Sequence, residues 1–130
     1  MAASFREGSL MLLRPLLLIA PMALALASAH AQDAAAGGMA FQQCAECHSP
    51  SDADGAGPGL KDVFGRRAGG KPGFIYSPAM KKATITWDAA TLEKFLADPR
   101  AVVPGTTMAY GGDDDAKERA DLVAYLKTLK

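Results

Sequence analysis

Three observations predict an all-α fold. Apolar residues recur at helical spacing around 92–96 and again around 122–129. An Ala-rich stretch, Ala34 to Glu46, precedes them. The segments between are rich in Gly and Pro and lack the two-residue alternation of a half-buried strand. At 130 residues, 49% hydrophobic and 22% charged, the chain has room for one domain and not for a multidomain enzyme. Fourteen Lys+Arg balance fourteen Asp+Glu, so no net positive field is available to neutralise phosphates, and nucleic acid is not expected as a partner.

The first element is an address. Arg6 and Arg14 precede an apolar run from Leu16 to Ala27, and Ala29-His30-Ala31 closes it with an A-x-A cleavage site, so residues 1–31 read as a cleaved secretory signal. An uncleaved membrane anchor is the alternative, but the run contains Pro21 and falls short of the ~20 apolar residues a spanning helix needs. Cleavage leaves residues 32–130, with 12 Lys+Arg against 13 Asp+Glu, a formal charge of −1. His48 is then the only histidine, and Met39, Met80 and Met108 the only methionines.

Ala34 to Glu46 forms the first helix, with Met39 and Phe41 as core, Phe41 where the first and last helices cross. Asp88 caps a second helix whose Leu92, Phe95 and Leu96 fall at i, i+3 and i+4 and share a face. Asp113-Asp114-Asp115 opens the last helix, in which Leu122, Tyr125, Leu126 and Leu129 repeat at i, i+3, i+4 and i+7. The triplet could be taken for a cation site, but a solvated helix N-terminus complementing the dipole, with Lys127 and Lys130 at the other end, is the simpler reading. Gly55 to Gly59 and Gly69 to Gly73 read as loops.

The chemistry lies at Cys44-Ala45-Glu46-Cys47-His48, a C-x-x-C-H sequence, the attachment pattern for c-type haem. A redox dithiol would sit beside a βαβ pattern, which is missing here. A zinc site wants four Cys or His ligands, and the mature chain offers only three. A disulfide would close too small a loop to stabilise much. Two cysteines three apart lie on one side of a helical turn, where both can reach the vinyl groups along one haem edge, and the next residue presents imidazole to the iron. One covalently attached haem c is therefore expected, with His48 as proximal ligand and the helices wrapped around it.

With no second histidine in the mature chain, the sixth ligand must come from methionine, lysine, tyrosine or solvent. Methionine is the natural candidate. Met39 shares the first helical segment with His48 and cannot easily reach the opposite haem face. Met80 could serve, or could pack flexibly against the cofactor. Met108 follows Pro104-Gly105, a tight turn able to deliver a side chain inward, and is preferred. A thioether ligand favours the ferrous state.

Taken in order, these motifs resemble class I cytochromes c, in particular the small bacterial cytochromes c2 and mitochondrial cytochrome c. The resemblance runs through Cys44–His48, Gly57-Pro58-Gly59-Leu60, Phe64-Gly65-Arg66, Tyr76-Ser77, Ile85-Thr86-Trp87, Pro99, Pro104-Gly105-Thr106, Met108 and Arg119 to Leu126. It implies the class I cytochrome c fold. It also implies that the Pro58 carbonyl accepts a hydrogen bond from the proximal histidine, that Arg66, Tyr76 and Trp87 meet the haem propionates, and that Thr106 helps hold the methionine loop. A buried indole N–H such as that of Trp87 needs a partner in any case, and a propionate oxygen would serve. Two departures stand out from the mitochondrial pattern. Phe95 replaces a tyrosine under the methionine, removing a hydroxyl that could reach the ligand sulfur. Thr107 and Ala101 thin a basic ring of which Lys61, Arg67, Lys71, Lys81, Lys82 and Arg100 would retain part.

With His48 and Met108 in both axial positions, the iron has no open site for a substrate, and outer-sphere electron transfer is what remains. The expected function is thus a soluble, monomeric, periplasmic one-electron carrier and not an enzyme. It would run between a quinol-oxidising cytochrome complex (quinol-cytochrome c oxidoreductase) and a terminal oxidase or similar acceptor. A haem subunit or dedicated acceptor of a periplasmic dehydrogenase is the alternative, and a haem enzyme or gas sensor with a labile sixth ligand a more distant one.

Overall fold

The structure, a computed structural model, describes residues 31–130; the segment read as a secretory signal lies, but for Ala31, outside them. Five helices are present: α1 (Ala34–Ala40), α2 (Pro78–Lys82), α3 (Ala89–Ala97), α4 (Pro99–Val102) and α5 (Ala116–Thr128). Among the described residues there is no strand, only an isolated antiparallel bridge between Arg67 and Thr86, and no helix is long and apolar enough to cross a membrane.

α1 starts because the Asp33 carboxylate accepts from the N–H groups of Ala35 and Ala36, which the helix cannot satisfy itself. It crosses α5 closely enough that a Cβ at Gly37 would run into the Asp121 carbonyl and meet Tyr125 Cβ at 2.9 Å, so glycine is what lets the two backbones touch. The crossing is locked by Asp121, buried at 5% exposure, which accepts from the Asp33 N–H at 2.8 Å and from Lys117 Nζ at 2.6 Å. The Lys117 ammonium, then the Asp33 N–H, hold the Asp121 carboxyl below the usual carboxylate range. Phe41 packs beneath, its ring 5.1 Å from that of Tyr125, as expected for the crossing.

The first helix is shorter than its composition suggests. It ends at Ala40 and tightens into a 3₁₀ turn over Phe41–Gln43, with Cys44 N–H bonded to the Phe41 carbonyl at 2.8 Å. Turns carry the chain on to Cys47, with the Cys44 carbonyl accepting from both the Cys47 and His48 N–H groups. Met39, expected as core, is 72% exposed. It lies two residues from the buried Gly37, hence on nearly the opposite side of α1.

α3 and α5 follow the apolar spacing. Asp88 and Thr91 form a reciprocal capping box, and Leu92, Phe95 and Leu96 are buried. Asp115 caps α5 by accepting from the Lys117 and Glu118 N–H groups, so the acidic triplet supplies the cap. Leu122, Val123 and Leu126 enter the core, while Leu129 lies just past the helix as its C-cap. The two short helices α2 and α4 interrupt what reads as loop. Each has Pro at its first position behind a capping Ser77 or Asp98, a pair of signals visible in the sequence.

Candidate haem site

The space between these elements is a largely apolar slot of about 350 Å³. Every residue singled out in the sequence lines it: Cys44, Cys47, His48, Pro58, Arg66, Tyr76, Trp87, Thr106 and Met108. The apolar faces of α3 and α5 supply Leu92, Phe95, Leu96, Leu122 and Leu126, so the helix periodicity already pointed at the walls. Leu60, Val63, Phe74 and Ile75, from irregular segments, add to the lining and carried no periodic signal.

Cys44 to His48 form one turn at the rim, with His48 N–H donating to the Cys44 carbonyl at 2.8 Å and Cys47 N–H to the same oxygen at 3.1 Å. The two cysteines form no disulfide with one another. Burial pushes the Cys44 thiol up, with the neighbouring Cys47 and Glu118 adding to it.

His48 Nδ1 sits 2.8 Å from the Pro58 carbonyl oxygen, which leaves Nε2 as the nitrogen free for a ligand bond. The side of the ring is backed by Gly57, where a Cβ would lie 2.7 Å from Nδ1 and 2.9 Å from Nε2. Gly57 belongs among the site residues, and its role shows only once the 57–60 loop is folded against the imidazole. That loop is held by Gly57 N–H to the Cys47 carbonyl at 2.9 Å and by Gly59 N–H to Asp54 Oδ1 at 2.8 Å.

Arg66 reaches back across the same loop, donating to the Gly59 and Lys61 carbonyls at 3.1 Å each. Trp87, 7% exposed, is set by the short ladder around Arg67–Thr86, with its backbone N–H donating to the Arg66 carbonyl at 2.9 Å, and its ring packs on Phe95 at 4.9 Å between centroids. The Tyr76 hydroxyl accepts from the Lys71 N–H at 3.3 Å.

Met108 sits in an irregular stretch after Gly105, its N–H donating to Thr106 Oγ1 at 3.3 Å, so Thr106 braces the loop locally. Met80 also lines the slot, from α2, whose N-cap Ser77 accepts from the Met80 N–H. One basic-ring residue needs correction. Lys71 is buried, 9% exposed, with its ammonium 3.0 Å from Asp54 and 3.5 Å from Asp52. It is a loop staple: two carboxylates of the preceding loop have drawn it in. Lys61, Arg67, Lys81, Lys82 and Arg100 do remain exposed.

A planar, largely apolar macrocycle fits this donor set: two cysteine sulfurs and an imidazole on one turn, with aliphatic and aromatic walls and Arg66, Tyr76 and Trp87 among the lining. Fold and site together define a class I haem c protein. The cytochrome c family model matches residues 34–130, and the chain belongs to that family. It is 48% identical over 105 residues to a cytochrome c2 of Rhodomicrobium vannielii, covering 78% of this chain and 84% of the relative. It is 45% identical over 100 residues to a cytochrome c of Euglena viridis, covering 75% and 98%. Among solved structures it resembles cytochrome cH from Methylobacterium extorquens, with 49% identity, a TM-score of 0.71, and 74% and 98% of the two chains covered. The protein is accordingly an electron carrier, not an enzyme, bearing a covalently attached haem c at the site formed by Cys44 and Cys47.

Proposed function

We propose that this carrier is a soluble, monomeric periplasmic protein exported by the signal at residues 1–31, with His48 and Met108 as the two axial residues. When bound, the haem supplies one-electron exchange between ferrous and ferric iron. The observation that carries the reading is the His48 contact: with Nδ1 engaged by the Pro58 carbonyl at 2.8 Å, the ring would be held in one tautomer, with Nε2 left to hold the iron. Thr106 braces the Met108 segment, and Met108 belongs to the same slot as His48. Arg66, Tyr76 and Trp87 would anchor the propionates. Phe95 brings no hydroxyl to the methionine sulfur, so the thioether keeps its full donor strength.

An iron held from both sides leaves no position for a substrate, and the chain's work reduces to excluding water and presenting one edge to redox partners. A quinol-oxidising cytochrome complex as donor and a terminal oxidase as acceptor suit an exported carrier. Their contact would be transient and below ~1,200 Å² in total.

The test is the absorption spectrum of Met108→Ala beside wild type and Met80→Ala. The far-red sulfur-to-iron band is expected to disappear in Met108→Ala and persist in Met80→Ala; the reverse pattern would move the sixth ligand to Met80. Carbon monoxide should leave the wild-type reduced spectrum unchanged and bind readily to Met108→Ala.

A further inference from the structure

The Pro58 carbonyl that meets His48 and the Gly59 N–H are the two ends of one planar peptide group. His48 Nδ1 holds the first end at 2.8 Å, and Asp54 Oδ1 accepts from the second at 2.8 Å. The same Asp54 oxygen lies 3.0 Å from Nζ of the buried Lys71. A continuous chain therefore runs from the Lys71 ammonium through the Asp54 carboxylate and a single amide to the imidazole. Both neighbours of Pro58 are tied down as well: Gly57 N–H donates to the Cys47 carbonyl at 2.9 Å, and the Gly59 carbonyl accepts from Arg66 Nη2 at 3.1 Å.

Hydrogen bonds in series polarise one another. A carboxylate that accepts the N–H of an amide pushes electron density onto its carbonyl oxygen, and that oxygen then accepts more strongly from the His48 Nδ1–H. A more strongly accepted Nδ1 proton makes Nε2 the better donor to a metal. We propose that Asp54 is a positioning residue for His48: through the Pro58–Gly59 peptide it fixes the direction of the Nδ1 hydrogen bond and raises the donor strength of the ring, with Lys71 holding the carboxylate in line. The proposal rests on the axial role proposed for His48. Asp52 supplies an internal contrast. It stands 3.5 Å from the same ammonium with its side chain 79% exposed, and among the described residues its carboxylate takes no backbone N–H, so it shares the charge of Asp54 without the link to the amide.

The test compares haem-loaded wild type, Asp54→Ala, Asp54→Asn and Asp52→Asn by reduction potential and by the His48 ring resonances of the ferric protein. A weaker Nδ1 bond makes the ring a poorer donor and disfavours ferric iron. Asp54→Ala should therefore be easier to reduce, its reduced-to-oxidised ratio at the wild-type midpoint raised about twofold to fivefold, up to the worth of one hydrogen bond. Its His48 resonances should move with it. Asp54→Asn keeps an oxygen for the Gly59 N–H without the charge and should fall between Asp54→Ala and Asp52→Asn, the last staying near wild type in both readouts. A purely structural Asp54 would lower the melting temperature and leave potential and resonances in place, and a purely electrostatic one would make Asp54→Ala and Asp52→Asn shift alike; either result overturns the proposal. If Asp54→Ala yields no haem-loaded protein, the isosteric Asp54→Asn against Asp52→Asn decides, since each removes one charge beside the same lysine: a larger shift for Asp54→Asn supports the proposal and equal shifts refute it. His48 ring resonances free of hyperfine shift in the ferric wild type would instead take the imidazole off the iron, and the proposal with it.

Discussion

Replacing Gly57 by alanine tests how tightly the fold holds the His48 ring. The Gly57 backbone cannot yield, because its N–H donates to the Cys47 carbonyl and its carbonyl accepts from the Gly55 N–H, both at 2.9 Å. A new Cβ would run into His48 Cε1 and sit 2.7 Å from Nδ1, where ordinary contact begins at 3.4 Å, so the ring must retreat by at least about 0.7 Å measured at Nδ1. Taken up along the Nδ1 to Pro58 contact, that retreat stretches 2.8 Å to about 3.5 Å, past the ~3.2 Å limit of an N–H···O bond. Overpacking costs about 1–3 kcal/mol and the lost hydrogen bond about 1. Together these come to ~2–4 kcal/mol, of which the lower figure already lowers Tm by about 8–16 °C in a domain of this size. Thermal unfolding of the haem-loaded variant measures this, and the His48 ring resonances report the displacement. Gly111→Ala is the control, since a Cβ there meets nothing within 4 Å. A Gly57→Ala protein that melts with wild type and shows unshifted His48 resonances would refute the claim that Gly57 backs the imidazole.

Leu122 is 1% exposed where α5 meets the core and slot, so Leu122→Ala should cost about 2–5 kcal/mol in denaturant unfolding; a loss under ~1 kcal/mol would mean the slot, not the chain, dominates packing there. The Asp121 carboxyl, held below its ordinary value by Lys117 and the Asp33 N–H, contributes stability that is full above about pH 4 and is lost as pH falls through the folded value. Asp121→Asn should therefore be less stable than wild type at neutral pH, with the gap narrowing only below about pH 4; a gap independent of pH would contradict the linkage. Because Lys71 is a buried staple to Asp54 and Asp52 while Lys81 and Lys82 are exposed, Lys71→Gln should lower stability and leave the salt dependence of electron transfer unchanged. Lys81→Gln with Lys82→Gln should weaken that salt dependence, and the opposite pattern would restore Lys71 to the surface charge.

Much of the molecule is legible before folding. The C-x-x-C-H turn, the Asp88 and acidic-triplet caps and the apolar faces of α3 and α5 are local signals, each contained within a few residues and each realised in the structure. The short helices α2 and α4 carried equally local signals, a capping residue followed by proline, that are easily passed over between glycines. Met39 and Lys71 were misplaced for another reason. Residue type suggests burial for a methionine and exposure for a lysine, but helix phase relative to Gly37 turns Met39 outward and two loop carboxylates draw Lys71 inward.

By itself, then, the order of residues determined that a haem is attached, at which turn, and which few side chains are chemically able to reach iron. Only the tertiary structure decided that Gly57 must lack a side chain, that Met80 shares the slot with Met108, that Met39 faces outward and that Lys71 is drawn in between Asp52 and Asp54. Covalent attachment and helix capping depend on neighbours in sequence. The other features depend on backbones from distant segments approaching within contact distance, and that proximity is set by how the whole core packs.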